Sequence, residues 1–111
     1  MDCIFCKIAQ KEIVSSVVYE NDSVVVFPDI RPKAALHFLI VPKKHVESLS
    51  DARSEHRELL GELLLAAQAV AQERGIKGYK LQMNVGKEGG QQIDHLHLHF
   101  LVPPINVLYG I

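Results

Sequence analysis

Tryptophan is absent from this 111-residue chain, and cysteine is nearly so, with two residues. No apolar run approaches the roughly 18–20 residues of a membrane span. An excess of one charge is lacking as well. Twelve basic and thirteen acidic residues give a formal net charge of −1, so nothing overall suggests a nucleic-acid or membrane-surface binder. The opening Met1-Asp2-Cys3 lacks the charged-then-apolar plan of a secretory signal. We therefore expect a cytoplasmic location, where Cys3 and Cys6 read as thiols or metal ligands more readily than as a disulfide. No internal repeat and no linker interrupts the chain. With 48% hydrophobic and 23% charged residues, residues 1–111 should fold as one globular domain around one core.

Histidine, by contrast, is concentrated. Three of the six histidines fall in Ile93-Asp94-His95-Leu96-His97-Leu98-His99-Phe100-Leu101, at i, i+2 and i+4. Alternation with this period marks a β-strand, whose successive side chains face opposite ways. His95, His97 and His99 should line one face, about 6.5–7 Å apart by strand rise. Leu96, Leu98 and Phe100 should enter a core on the other. Three imidazoles on one face are costly to bury without partners, so the face reads as a metal site or a nucleophilic histidine site.

The rest of the chain supplies a frame. Asp2 can cap a short helix from residue 3 to about 10, on which Cys3 and Cys6 share a face. Residues 17–20 and 24–27 are β-branched runs joined by Asn21-Asp22-Ser23, a hairpin without the preferred glycine. Pro28 should end the second run, and residues 29–33 form a loop. Residues 37–41 are apolar on both faces apart from His37, which predicts a central strand. A long helix should begin at Ser50 or Asp51. Its apolar stripe would be Leu60, Leu63, Leu64, Ala67, Val70 and Ala71, and Gly75 would close it. His56 reads as ordinary helix surface. Residues 79–85 alternate as a fourth strand, residues 86–90 form a flexible loop, and the histidine strand is the fifth. Pro103-Pro104 should stop it, leaving 102–111 as a short tail. This order predicts an α+β domain, a five-stranded antiparallel sheet with one short N-terminal helix and one long helix.

Neutral imidazole can attack phosphorus, and an ordinary pKa near 6.5 leaves His97 mostly neutral at pH 7. Glycines before the strand would free backbone N–H groups to cradle an anion. Gln91, Gln92 and Asn84 would add neutral donors, and His99 can donate to a phosphate oxygen or the leaving atom. That assembly suits phosphoryl or nucleotidyl transfer through a covalent phospho-histidine. Two metal readings compete. His97 and His99 on one strand also suit zinc, and Cys3, Cys6, His45 and one strand histidine make a Cys2His2 set with long gaps.

The motifs extend further. His95-Leu96-His97-Leu98-His99-Phe100-Leu101 fits the alternating signature of the histidine-triad superfamily. Phe27-x-Asp29-Ile30-x-Pro32-x-Ala34, then His37, then Pro42-Lys43-Lys44-His45, then Asn84-x-Gly86-x-x-Gly89-Gly90-Gln91 match in register. The chain resembles the Hint branch, the histidine-triad nucleotide-binding proteins. The resemblance implies a homodimer in which sheets and long helices meet across a two-fold axis. It implies hydrolysis of purine nucleoside 5′-phosphoramidates, adenylate–amine to AMP plus amine, with no catalytic cofactor. By position, His97 would be the adenylylated nucleophile. His99, Asn84 and Gly90 would contact the phosphate, and His37 would support the triad. Asp29 would hold the ribose hydroxyls, and Phe5, Ile8, Ile13, Phe27 and Ile30 would form the slot for the base. A structural zinc on Cys3, Cys6, His45 and His95 is implied too.

The chain also departs from the pattern. Gln92 stands where a serine or threonine is usual, Pro28 replaces a more usual polar residue, and the family's tryptophan-bearing C-terminal tail is missing. Dinucleoside polyphosphate hydrolysis and non-catalytic nucleotide-binding regulation are the competing functions.

Overall fold

The computed structural model describes residues 3–105. The elements are α1 (Ile4–Ala9), β1 (Tyr19–Glu20), β2 (Val24–Pro28), β3 (Ala34–Pro42), α2 (Arg57–Arg74), β4 (Lys80–Gln82) and β5 (Leu98–Ile105), with 3-10 turns at Leu49–Asp51, Ser54–His56 and Lys87–Gly89. The five strands form one antiparallel sheet in the order β1-β2-β3-β5-β4. The expected α+β architecture is present, with β3 in the middle. No helix among the described residues is long and apolar enough to cross a membrane.

Strict alternation gives the sheet two apolar faces. Val24, Val26, Phe38, Ile40, Leu98 and Phe100 pack with Leu63, Ala66, Ala67 and Val70 of α2. Leu96, Leu98 and Phe100 are buried as the alternation requires. The opposite parity, Val25, Phe27, Leu39 and Val41, packs against Phe5, Ile8 and Ala9 of α1. Each fully buried Val, Leu or Phe stabilises the fold by about 1.5–3 kcal/mol, so burial fastens both helices to the sheet. On β3 and β5, His37 pairs in register with Leu101 and Leu39 with His99, which puts both histidines on the α1 side.

Several boundaries differ from expectation. The N-cap of α1 is Cys3, whose sulfur accepts from the Cys6 N–H at 3.4 Å; the expected cap, Asp2, lies outside the described residues. The 21–23 turn manages without glycine because Asn21 Oδ1 accepts from the N–H groups of Ser23 and Val24, at 2.8 and 2.9 Å. Pro28 ends β2 as expected, as its last residue, and pairs with Phe38. Two 3-10 turns stand where the long helix was expected to begin, separated by extended backbone at Ala52 and Arg53. His56 is more than surface: its Nδ1 accepts the Arg53 N–H at 2.9 Å and closes the second turn. The α2 stripe is rotated toward Ala66, with Leu63, Ala66, Ala67, Val70 and Ala71 buried. Leu64, expected inward, is 56% exposed, beside Leu65 at 58%. Gly75 ends the helix in the left-handed region, with φ 66°.

β4 covers only Lys80–Gln82, paired with Leu101, Phe100 and His99 of β5. β5 begins at Leu98, so His95 and His97 precede the strand rather than lie within it. It runs through Pro103-Pro104, a cis pair, to Ile105, which pairs with Ala34. Prolines are tolerated there because β4 does not flank β5 beyond Leu101, so no ladder hydrogen bond is lost on that side. The start of the expected tail, 102–105, is therefore strand, and its remainder, 106–111, lies outside the described residues.

Candidate active site

A cavity of about 390 Å³ opens between the sheet, α1 and the 86–90 turn. Of the residues expected to bind nucleotide or to catalyse, it is lined by Phe5, Asp29, His37, Asn84, Gly90, Gln92, His97 and His99. Lys33, Leu39, Gln82, Gly89, Ile93 and Leu101 line it as well. Leu39 and Leu101 were legible in principle, since they share strand parity with His37 and His99. Lys33 carried no such signal.

Hydrogen bonds dictate where each imidazole keeps its proton. Nδ1 of His97 lies 2.7 Å from the carbonyl oxygen of His95. A carbonyl only accepts, so Nδ1 carries the hydrogen and Nε2 keeps its lone pair. The main-chain N–H of Lys33 donates to Nδ1 of His37 at 3.0 Å. Neutral His37 therefore has its hydrogen on Nε2, which lies 2.9 Å from Nδ1 of His99. His99 is left with a hydrogen on Nε2, an atom that is buried and has no hydrogen-bond partner among the described residues. The cavity wall thus offers a lone pair on His97 and a spare donor on His99, with ring centroids 5.0 Å apart.

Burial is the main reason these rings resist protonation. It holds His97 and His37 below the ordinary imidazole value, against the opposing pull of the Asp29 carboxylate. Burial, with the nearby His97 and His37 rings, brings His99 down to about 4. Phe5 stands edge-on to His97 at 5.2 Å between centroids and supplies an apolar wall.

The polar side walls are also oriented. Gln82 Nε2 donates to Asn84 Oδ1 at 3.1 Å, which leaves the Asn84 amide nitrogen free to donate. Asp29 Oδ1 accepts from the Arg31 N–H at 2.8 Å, and Oδ2 lies 3.4 Å from His37 Nε2.

Three expectations are not met here. The 86–90 turn does not hold its amides open for an anion: the N–H groups of Gly89 and Gln91 donate to Gly86 O, and that of Gly90 to Lys87 O. Tight 3-10 geometry consumes them, and Gly90, at φ 89°, serves the turn itself. Gln91 is no donor at the mouth either. It is buried, and its amide is occupied by Gly86 N–H, Glu47 O and Ile93 O. Of the expected base slot, Phe5 alone lines the cavity. Ile8 and Phe27 are buried behind it in the same cluster. Ile13 is 37% and Ile30 91% exposed, Ile30 because the 29–31 turn closed by Asp29 throws it outward.

Beside the cavity lies a second cluster. Sγ of Cys3 and Cys6 and Nδ1 of His45 and His95 all lie within 4.8 Å of one another, an arrangement that could hold a metal ion. Nε2 of His95 donates to Pro42 O at 2.8 Å, so its Nδ1 lone pair faces the sulfurs. Burial and the neighbouring Cys3 push the Cys6 thiol up to about 11, and burial brings His95 down to about 4. Asp29, His37 and His99 also form a compact group. There, however, the Lys33 N–H claims the His37 Nδ1 lone pair and leaves a hydrogen on the nitrogen facing the group.

The chain is also similar to known proteins along nearly its whole length. A family model described as scavenger mRNA decapping enzyme C-terminal binding matches residues 2–109. Protein HitA of Neisseria gonorrhoeae is 47% identical over 105 residues, covering 94% of this chain and 98% of that protein. The purine nucleoside phosphoramidase of Escherichia coli (strain K12) is 40% identical over 102 residues, 90% of this chain and 86% of that protein. A solved HIT family hydrolase from Legionella pneumophila Philadelphia 1 superposes with a TM-score of 0.88 at 46% identity, covering 91% of this chain and 92% of its own. A match of that extent, over a sheet entered through His95-Leu96-His97-Leu98-His99, makes this chain a member of the histidine-triad (HIT) family.

Proposed function

We propose that the protein is a nucleotide hydrolase that cleaves purine nucleoside 5′-phosphoramidates through a nucleotidyl-histidine intermediate. The observation that carries the reading is the fixed tautomer of His97, with Nδ1–H tied to the His95 carbonyl at 2.7 Å. That leaves a neutral Nε2 in a cavity where His99 keeps a donor without a partner among the described residues. The 40% identity to a purine nucleoside phosphoramidase supports the substrate class, and the likeness to a HIT family hydrolase supports the reaction type.

In the first step Nε2 of His97 attacks phosphorus, a P–N bond to histidine forms, and the P–N bond to the amine breaks. The amine leaves with one proton taken from solvent at the open cavity mouth, as a neutral leaving group requires, and the second step returns one to solvent. Positive charge on the adducted ring is met by the His95 carbonyl on its other side. The His99 Nε2–H and the Asn84 amide donate to phosphate oxygens. In the second step water attacks phosphorus, the P–N bond to histidine breaks, and AMP and a proton are released. His97 regains its lone pair. Asp29 binds the ribose hydroxyls and Phe5 packs on the base. Exposed Gln92 borders the leaving-group side. Substituting His97→Ala should abolish turnover of an adenylate–amine while AMP still binds; a mutant that retains substantial turnover sinks the nucleophile assignment.

The four-ligand cluster suits a structural zinc. At zinc bond lengths of about 2.0–2.3 Å, tetrahedral ligands sit about 3.3–3.8 Å apart. Here His45 and His95 Nδ1 are 3.2 Å apart, and the sulfur–nitrogen hydrogen-bond separations run from 3.2 to 3.5 Å. Bound zinc would pin α1 to the segment that leads into the triad, with no part in the bond-breaking step. The protein would act as a homodimer, in line with the family resemblance, and Leu64 and Leu65 on the outer face of α2 are the apolar surface that would be covered.

A further inference from the structure

Among the described residues, Gln91 and Ser48 are the buried polar residues that neither the triad nor the metal cluster uses, and Gln91 is the one beside the cavity. It is 6% exposed, and its amide makes hydrogen bonds to three separate segments. Oε1 accepts from the Gly86 N–H at 2.9 Å, and Nε2 donates to Glu47 O at 2.6 Å and to Ile93 O at 2.9 Å. Each segment leads directly to a functional group. Glu47 lies two residues beyond His45 of the metal cluster. Ile93 lies two residues before His95, the other histidine of that cluster, and itself lines the cavity. Gly86 opens the turn whose Gly89 and Gly90 wall the cavity. A second tie, Leu96 N–H to Val46 O at 2.7 Å, fastens the first two segments together independently.

This leaves one weak connection. The 45–47 and 93–96 segments are held to each other by the Leu96 tie and, with metal present, by ligands on both. The 86–90 turn closes on itself, through Gly86 O and Lys87 O. Beyond the chain itself, which runs on through Gln91-Gln92, the Gln91 amide is the side-chain tie between this turn and the other two segments. No other side chain of that length could do the same: glutamate lacks the two donors that face two carbonyls, and methionine lacks both donor and strong acceptor.

We infer that Gln91 is a positioning residue that couples the Cys3-Cys6-His45-His95 metal cluster to the nucleotide cavity, so that metal binding and nucleotide binding strengthen each other. The inference rests on the nucleotide-binding reading proposed above. Coupling is reciprocal: if zinc tightens AMP binding by some factor, AMP must tighten zinc binding by the same factor.

The test uses the full chain loaded with zinc, AMP as the nucleotide probe, and two readouts that do not involve turnover. AMP affinity is measured by calorimetry with and without zinc, and zinc loss to a chelating dye is timed with and without AMP. In the wild type, removing zinc should weaken AMP binding by about tenfold, within the usual range of coupling between sites, and AMP should slow zinc loss. In Gln91→Met and in Gln91→Glu, both effects should shrink toward none, beyond any drop in melting temperature. A purely structural Gln91 would lower the melting temperature yet leave the mutual effect intact in either folded variant, and that result overturns the inference. So does a wild type whose AMP affinity ignores zinc; this arm needs no variant to fold. If AMP fails to bind the wild type with or without zinc, the proposed function falls and takes the inference with it.

Discussion

Substituting His37→Leu isolates the device that sets the His99 proton. His37 is buried and bridges the Lys33 N–H at 3.0 Å and His99 Nδ1 at 2.9 Å, with Asp29 Oδ2 at 3.4 Å from the same Nε2. Leucine fills similar space but neither accepts nor donates. His99 then loses the donor that forces its hydrogen onto Nε2, the atom available to a phosphate oxygen. Losing one buried hydrogen bond costs about 1–3 kcal/mol, and each 1.36 kcal/mol is about tenfold in rate. We therefore expect kcat/KM for an adenylate joined to a fluorescent amine to fall by about tenfold to a hundredfold. Circular dichroism at the assay temperature checks that the variant is folded. His37→Gln can present an amide N–H near the position of Nε2, so it should recover part of the loss. If folded His37→Leu keeps kcat/KM within about twofold of wild type, the tautomer argument fails, because the 1–3 kcal/mol above would have no kinetic counterpart.

Other consequences follow from the same geometry. With burial holding His97 and His37 low and His99 at about 4, kcat/KM should stay level as pH falls past the ordinary imidazole pKa of about 6.5; an acid limb centred at or above that value contradicts it. Stability, unlike kcat/KM, should fall as pH falls. The unfolded chain takes up protons near pH 6.5 that folded His99 refuses until about 4, so stability is full above 6.5 and falls as pH drops through that window. Urea midpoints that rise on going from pH 7 to pH 5 would reverse this sign. Cys3→Ser should lower the zinc content per chain, and stripping zinc from the wild type should lower the melting temperature by on the order of 10 °C; unchanged zinc content rejects Cys3 as a ligand. Leu65→Lys should convert the proposed homodimer to a monomer by sedimentation; a dimer that persists with both Leu64→Lys and Leu65→Lys shifts the interface elsewhere.

Much of the site was legible because strands make parity visible. The i, i+2 spacing of His97 and His99 places both on one face before any coordinates are known, while His37 joins them only through the family resemblance and the β3–β5 register. Cys3, Cys6, His45 and His95 meet as the family resemblance implies. What the chain concealed was hydrogen-bond geometry. The 86–90 glycines looked like an open anion cradle, but whether an amide points outward depends on φ and ψ, and a 3-10 turn directs these inward. Gln91 looked like a mouth residue, because a buried glutamine satisfied by main chain from Glu47, 44 positions away, has no local signature. Gln82 orients Asn84 for the same hidden reason. Leu64 turns outward while Ala66 is buried, a choice between neighbouring apolar positions that the spacing alone left open.

The central claim is that a neutral His97 attacks phosphorus and carries the nucleotide. Mixing the protein with an adenylate–amine, quenching in base to preserve a histidine phosphoramidate, and mapping the modified peptide by mass spectrometry tests it most directly. One adenylyl group on His97, absent from His97→Ala, is the predicted result. An adduct on any other residue, or hydrolysis to AMP with no adduct at any quench time, would contradict it.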